Sequence, residues 1–193
     1  MPSNLPMKEF IIRLFKEKLP HTYYYHNYGH TSYVMEKAIE IGQQENCTPA
    51  EIDLLIVAAL WHDAGYINTY AGHEEEGCVL AKKYLPEYGF STGDINSICG
   101  MIMATKIPQT PKTKLEEIIA DADMEYLGTA AAAAQAENLF REWQHLNPSL
   151  TKEKWDRVQI DFIQQHHYFT NYCKQQKEHA KQVYLEKLKK EIQ

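Results

Sequence analysis

The sequence contains no CxxC pair, and its four cysteines, Cys47, Cys78, Cys99 and Cys173, are scattered along 193 residues. This spacing excludes a zinc knuckle and a thioredoxin-like redox motif, and it fits reduced thiols in a cytoplasmic protein. No apolar run reaches the length of a membrane span, and the N-terminal residues lack the apolar region of a signal peptide. We therefore expect a cytoplasmic protein that makes no membrane contact.

Positive net charge is also missing, because acidic side chains outnumber lysine and arginine and leave a formal net charge of −6. An acidic surface repels phosphate backbones, so tight nucleic-acid binding is not expected. A small phosphorylated substrate is still compatible with this charge, since a metal ion or a few lysines can reverse the potential inside one pocket. The sequence leaves the oligomeric state open, a homo-oligomer included.

Strand-like alternation is absent as well, and helical periodicity runs through nearly the whole chain. Thr48, Pro49 and Glu51 have the pattern of a capping box that precedes the apolar run 52–61. Because this run is apolar on nearly every side, it predicts a helix at the centre of the core. We expect that helix to end near Gly65.

No linker is long enough to divide the chain, so we predict a single all-α domain over residues 1–193. A helix over about 27–45, with Asn27 as its N-cap, belongs to a core of about 20–128. The helices of residues 129–193 are expected to pack on that core. The last of them is strongly charged, which favours a solvated tail or a partner surface.

The most specific local feature is the stretch LWHDAGY, in which a buried helix leads directly into His62 and Asp63. Burying an imidazole and a carboxylate is costly unless something pairs with them. A divalent cation is one such partner, since both groups are good ligands. The alternatives are a His–Asp hydrogen bond at the helix end, or simple exposure.

Two further carboxylates, Asp121 and Asp123, follow an apolar run in IIADADMEYLG. Their spacing of two places them on different faces of a helix, so at most one of them is expected to share a site with His62. Asp121 directly follows the apolar residues and is the better candidate for an inward carboxylate. The alternative is that both are solvated.

His26 and His30 in YHNYGHTSYV lie one helical turn apart, so both imidazoles could reach one ion. His30 heads a helix whose apolar face points into the same bundle as His62. One histidine from this helix, the His-Asp pair and one later aspartate would give four N/O ligands with open positions for water and substrate.

In this order the three motifs resemble the HD-domain superfamily of metal-dependent phosphohydrolases, which are all-helical bundles. The family pattern is a single histidine, an adjacent His-Asp pair and a distant aspartate. The resemblance covers roughly residues 20–128 and implies one divalent metal ion, either Zn, Mn, Fe, Ni, Co or Mg. The ligands that it implies are His30, His62, Asp63 and Asp121. Three roles then remain open for His26: it supports the metal ligands without binding the ion, it faces the substrate, or it is purely structural.

The sequence also resembles a smaller subgroup of this superfamily, with which it shares the YHN, HE and ATK motifs. This likeness implies that His73 and Glu74 assist Asp63 in catalysis, and that Lys106 binds the substrate phosphate. The alternative for Glu74 is that it belongs to an acidic first turn that stabilises its own helix. The alternative for Lys106 is that it is an ordinary exposed lysine. The Arg-Glu pair in FREWQ is also similar to the subgroup, which makes Arg141 a candidate for substrate binding, as His26 is.

The resemblance implies hydrolysis of a phosphomonoester or a nucleotide by a water molecule that the metal ion activates. Some relatives carry a lysine shortly after the HD pair, where this chain has Tyr66. A metal-stabilised nucleotide-binding or regulatory domain without turnover is therefore the alternative, and a purely structural protein is the third hypothesis. His166, His167 and His179 belong to no motif and are predicted to be surface residues.

Overall fold

The computed structural model describes residues 5–192, and every regular element in that range is a helix or a 3-10 turn. The α-helices are α1 (Leu5–Lys18), α2 (Tyr28–Gln44), α3 (Pro49–Trp61), α4 (His73–Tyr84), α5 (Thr92–Ala104), α6 (Lys114–Met124), α7 (Ala132–Leu146), α8 (Lys152–Gln165), α9 (Asn171–Gln176) and α10 (Glu178–Glu191). The 3-10 turns are Ala64–Ile67, Leu85–Tyr88 and Glu125–Gly128. The all-α prediction is confirmed. Among these helices none is both long enough and apolar enough to cross a bilayer.

Side-chain caps set where α2 and α3 begin. The N–H of Gly29 donates to Asn27 Oδ1 over 2.8 Å, so Asn27 is the predicted N-cap of α2. Thr48 and Glu51 exchange hydrogen bonds ahead of α3 in a complete capping box. These bonds satisfy N–H groups that the first helical turn leaves without partners. The predicted span 27–45 for the second helix therefore agrees with the structure to one residue at each end.

The centre of the bundle is α3, which packs against α1, α2, α5 and α6. Its residues 57–61 have no exposed surface, as expected for a helix that is apolar on nearly every side. The helix ends at Trp61 rather than near Gly65, because the backbone tightens into the 3-10 turn Ala64–Ile67. This early end places His62 and Asp63 at a junction between two helical geometries.

The C-terminal helices form a second apolar cluster with the turn Glu125–Gly128. Its buried members are Tyr25, Tyr126, Leu127, Ile160, Ile163, Leu185 and Leu188. Because Leu185 and Leu188 lie on α10, that helix is part of the fold and not a solvated tail. Lys181 of α10 is also buried, and its ammonium donates to the carbonyl oxygen of His166 over 2.8 Å. His166 is thus partly buried, which corrects its assignment to the surface.

Candidate metal centre

Two imidazoles and a carboxylate meet where α2, α3 and α6 converge. His30 comes from the first turn of α2, His62 follows α3 directly, and Asp123 lies near the end of α6. His30 Nε2 lies 3.0 Å from Asp123 Oδ1 and 3.4 Å from His62 Nε2. One ligand atom from each residue lies within 4.8 Å of the other two, and all three side chains are buried. This arrangement can hold a metal ion.

Asp63 adds a fourth ligand atom to the cluster. Its Oδ2 lies 3.2 Å from His62 Nε2 and 3.6 Å from His30 Nε2. Ligands that bind a zinc-like ion at roughly 2.1 Å with tetrahedral angles are about 3.4 Å apart. Five of the six separations among these four atoms run from 3.0 to 3.8 Å and bracket that value. His30, His62 and Asp123 therefore form a three-ligand site for a divalent cation, and Asp63 Oδ2 lies beside both of its imidazoles.

The orientation of the buried groups also fits a cation. His62 Nδ1 donates to the carbonyl oxygen of Ala59 over 2.7 Å, so the lone pair of the neutral ring lies on Nε2 and faces the cluster. Asp63 Oδ2 is buried, and it has no hydrogen-bond donor within residues 5–192. An unpartnered buried carboxylate oxygen is costly unless positive charge lies beside it.

The pKa shifts of these side chains also indicate that the site stabilises positive charge. Burial disfavours protonated His62, but the carboxylates of Asp63 and Asp123 overcome burial and raise the pKa of His62 to about 9. Burial also opposes ionisation of Asp63, yet the adjacent His62 holds the pKa of Asp63 well below its usual value. The carboxylates therefore stabilise one positive charge at the centre, whether a proton or a metal ion carries it.

Asp121 does not belong to this cluster, which corrects the prediction that it is the last ligand. Its carboxylate accepts hydrogen bonds from the N–H of Phe169 (2.9 Å) and from the N–H (2.8 Å) and hydroxyl (2.6 Å) of Thr170. Residues two apart on a helix point about 200° apart, so Asp121 faces the segment before α9 while Asp123 faces His30. Burial raises the pKa of Asp121, and the bonds from Thr170 oppose that shift.

The second oxygen of Asp63 faces His73, the first residue of α4. His73 Nε2 lies 3.7 Å from Asp63 Oδ1, and the His73 ring stacks on Tyr66 with centroids 3.8 Å apart. Burial lowers the pKa of His73, although Asp63 and Glu74 oppose that shift. Glu74 is 7% exposed and lines the same cavity, so its side chain is not part of a solvated first turn.

His26 belongs to a network around Glu142, the buried glutamate of the FREWQ pair, for which the sequence motifs predicted no role. His26 Nδ1 lies 2.5 Å from Glu142 Oε1, and the N–H groups of Tyr25 and His26 donate to Oε2 over 3.0 and 3.1 Å. Burial opposes ionisation of Glu142, but these hydrogen bonds hold the pKa of Glu142 below its usual value. The other nitrogen of His26 lies 3.1 Å from the hydroxyl of Tyr66, so the ring is fixed at the cavity wall.

Lys106 and Arg141, both predicted to bind substrate, have different surroundings. Lys106 lines the cavity, and its ammonium pairs with the exposed carboxylate of Glu75. The Arg141 guanidinium lies 4.2 Å from the ring centroid of Tyr24 on the exposed surface and does not line the cavity. Adjacent residues on a helix point about 100° apart, so Glu142 takes the inward position on α7 and Arg141 does not. The placement of Arg141 in the site is thereby corrected.

Several of these groups line a cavity of about 520 Å³, which is within the usual range for small-molecule sites. Asp63, His73, Glu74, Asp123 and Lys106 form its polar end. Four tyrosines also line it, namely Tyr25, Tyr66, Tyr70 and Tyr126. The remaining wall comes mainly from α7 and α8, so the C-terminal helices help to form the site.

Comparisons with known proteins agree with this geometry. The sequence matches the family model of the HD domain over residues 27–125, just over half of the chain. The fold is similar to the crystal structure of a predicted HD superfamily hydrolase from an uncultured Thermotogales bacterium, with a TM-score of 0.65 and 24% identity over 97% of this chain and 90% of that one. At that identity the likeness shows the fold alone, and no curated protein gives a significant match. The matched segment contains His30, His62, Asp63 and Asp123, and because the family model matches more than half of the chain, the chain belongs to the HD-domain family.

Proposed function

We propose that the chain hydrolyses a phosphate monoester or a nucleotide in a reaction that depends on a divalent metal ion. HD-domain proteins are generally metal-dependent hydrolases. The observation that carries the proposal is the buried cluster at the polar end of the cavity. Its Asp63 Oδ2 has no hydrogen-bond donor in the described part of the chain, and both Asp63 and Asp123 border the space that a substrate would fill.

A divalent cation, when bound, supplies Lewis-acid polarisation of a phosphoryl oxygen and lowers the pKa of a water molecule. The other contributions come from side chains of this protein. Lys106 at the cavity wall neutralises part of the phosphate charge. His73 accepts a proton from the attacking water, and its lowered pKa keeps the ring neutral and ready to do so.

Departure of the alcohol is the second half of the reaction. As the water oxygen bonds to phosphorus, the ester P–O bond breaks and its electron pair goes to the alcohol oxygen. In this proposal His26, whose Nδ1 contacts Glu142, gives that oxygen a proton from Nε2, the nitrogen beside the Tyr66 hydroxyl at the cavity wall. Glu74 lies next to His73 and stabilises the proton that His73 has taken up, with 3.5 Å between Glu74 Oε2 and His73 Nδ1.

The test compares wild type with Asp123→Asn and Asp121→Asn after loading with Mn²⁺, Co²⁺, Ni²⁺ or Zn²⁺ in turn. We expect one equivalent of metal in wild type and in Asp121→Asn, and almost none in Asp123→Asn. Phosphate release from p-nitrophenyl phosphate and a panel of monoesters should fall by roughly 100-fold or more in Asp123→Asn. Elemental analysis and a phosphate assay give the two readouts, and circular dichroism confirms that each variant is folded.

Two results would overturn the proposal. If metal-loaded wild type releases no phosphate from any ester of the panel, the chain is a binding domain without turnover. If Asp123→Asn keeps its metal and Asp121→Asn loses it, the cluster has been assigned to the wrong aspartate. Each substitution of the matched pair removes one carboxylate, at positions two residues apart. A difference between the two variants therefore reports which aspartate binds the metal, and not the loss of a negative charge as such.

A further inference from the structure

The two ends of the cavity differ in chemistry, and that difference bears on the substrate. The polar end carries Asp63, His73 and Asp123. The wall from α7 and α8 carries Leu139, Phe162 and further apolar or aromatic side chains. A ligand that fills the cavity therefore has its charge at one end and meets mainly hydrocarbon at the other.

The apolar wall offers few hydrogen-bonding partners. Apart from the indole N–H groups of two tryptophans, Gln159 is the one cavity-lining residue of α7 and α8 with a polar side chain, among those described. Both ends of its amide are engaged, since Oε1 accepts from the hydroxyl of Tyr184 (3.1 Å) and Nε2 donates to Asp156 (3.3 Å). A nucleobase or a sugar buried here would leave most of its donors and acceptors unpaired, which weakens binding.

The charge of the cavity limits the ligand at its other end. Within the described residues Lys106 is the one lysine or arginine that lines the cavity, and Glu74 borders the same space. Glu75 already pairs with the Lys106 ammonium, and Asp63 and Asp123 offset the charge of a bound divalent cation, so these groups leave little positive charge for the ligand. A di- or triphosphate would bring more negative charge than these groups balance.

We propose that the substrate is a phosphate monoester of an alcohol with a hydrocarbon body, alkyl or aryl, that packs against Leu139 and Phe162. This inference rests on the proposed function and specifies the substrate class of the same site. The phosphate lies at the polar end near Lys106, and the hydrocarbon extends toward α7 and α8. Hydrolysis releases inorganic phosphate and an apolar alcohol.

The first experiment measures kcat/KM of the metal-loaded full chain on butyl, hexyl and octyl phosphate, with 1-naphthyl phosphate, glycerol 3-phosphate and adenosine 5′-monophosphate for comparison. We expect kcat/KM to rise by about fourfold per methylene from butyl to octyl phosphate. The naphthyl ester should exceed the glycerol and adenosine esters. A flat chain-length series, or preference for the adenosine ester, would overturn the inference while leaving the proposed hydrolase in place.

Leu139→Asn and Leu146→Asn provide a matched pair on α7. Leu139 lines the cavity, whereas Leu146 is 47% exposed at the end of the helix and does not. The Leu139 variant should lose most of the octyl-to-butyl ratio, and the Leu146 variant should keep it. An equal octyl-to-butyl ratio of kcat/KM in both variants would show that the alkyl chain does not reach this wall.

Binding of alkylphosphonates, which resist hydrolysis, separates this inference from the proposed function. Calorimetric titration of the metal-loaded protein with methylphosphonate and octylphosphonate should show at least tenfold tighter binding of the octyl compound, a difference that Leu139→Asn reduces. If no ester is hydrolysed but octylphosphonate binds preferentially, the hydrolase proposal fails and the apolar site stands. If both phosphonates bind with equal affinity, the substrate class is wrong whatever the turnover.

Discussion

Glu142 has no exposed surface, and its carboxylate is surrounded by donors. Besides His26 and the N–H groups of residues 25 and 26, it accepts a hydrogen bond from the hydroxyl of Tyr70 over 3.2 Å. A buried carboxylate with four donors fixes the ring that it contacts, in this case the imidazole at the cavity wall. At the scale of single residues, Glu142 is therefore the positioning group of the site.

We predict that Glu142→Gln lowers kcat by about 10- to 100-fold with little change in KM and with metal content intact. The amide presents N–H groups where the carboxylate accepted hydrogen bonds, so His26 loses its fixed orientation. Steady-state kinetics on a monoester that wild type hydrolyses, together with elemental analysis, check this prediction. Arg141→Ala is the matched control on the same helix and should leave both constants unchanged. A Glu142 variant with wild-type kcat, or one that loses its metal, would contradict a positioning role.

Whether a contact of the site could be predicted from the sequence depends on how far apart its residues lie along the chain. The His-Asp pair and the caps of α2 and α3 involve neighbours in sequence, so local patterns revealed them. The choice between Asp121 and Asp123 failed because every residue from 118 to 123 is buried, and α6 has no solvent-facing side there to orient it. The role of Glu142 could not be predicted from the FREWQ motif because its partner His26 lies 116 residues away in sequence.

At the scale of elements, the position of His73 depends on how closely α4 approaches the turn Ala64–Ile67. A Cβ atom at Gly65 would lie 1.9 Å from the carbonyl oxygen of His73 and 2.8 Å from the backbone nitrogen of Gly77. Only a residue without a side chain lets the start of α4 pack this closely against the turn that follows the His-Asp pair. Gly65 thereby brings the metal cluster and His73 together.

Gly65→Ala should lower the free energy of unfolding by about 3 kcal/mol and reduce turnover, because backbone atoms block the new methyl group. Chemical denaturation followed by circular dichroism measures the first effect, and a phosphate assay measures the second. Gly93→Ala is the control, since its Cβ would meet nothing closer than Ser91 Oγ at 3.6 Å. That variant should be as stable as wild type or slightly more stable, because alanine favours the helix. If the two variants had equal stability, the close approach would not be real.

For the whole molecule, the sequence predicted the all-α bundle but not the part that α10 plays in it. The buried positions of α10, Lys181, Leu185 and Leu188, follow helical spacing, yet the inward lysine makes the pattern look like a charged surface. Lys181 is tolerated inside because its ammonium donates to the carbonyl oxygen of His166 and lies 3.0 Å from the carboxylate of Glu178. A buried polar contact between α8 and α10 thus takes the place of an apolar one.

His166 connects this contact to the pH dependence of global stability. Its Nδ1 lies 3.3 Å from the Lys181 ammonium, and its Nε2 is buried with no hydrogen-bond partner within residues 5–192. Burial, and then the positive charge of Lys181, lower the pKa of His166 to about 3, although Glu178 opposes the shift. Below pH 6.5 the unfolded chain binds a proton at this position that the folded chain does not bind. The neutral ring therefore costs no stability above pH 6.5 and destabilises the fold progressively as pH falls toward 3.

We predict that the free energy of unfolding of wild type falls more steeply than that of His166→Asn between pH 6.5 and 4, by up to about 1.4 kcal/mol per pH unit. Urea denaturation of both proteins at a series of pH values, with a chelator present throughout, measures the difference. His167→Asn is the matched control, because His167 is the exposed neighbour and should keep the wild-type slope. Other groups titrate in the same range, but they are common to all three proteins and cancel in the comparison. Parallel curves for wild type and His166→Asn would mean that the ring takes up its proton in the folded protein, and that α8 and α10 are packed less tightly around it than the structure shows.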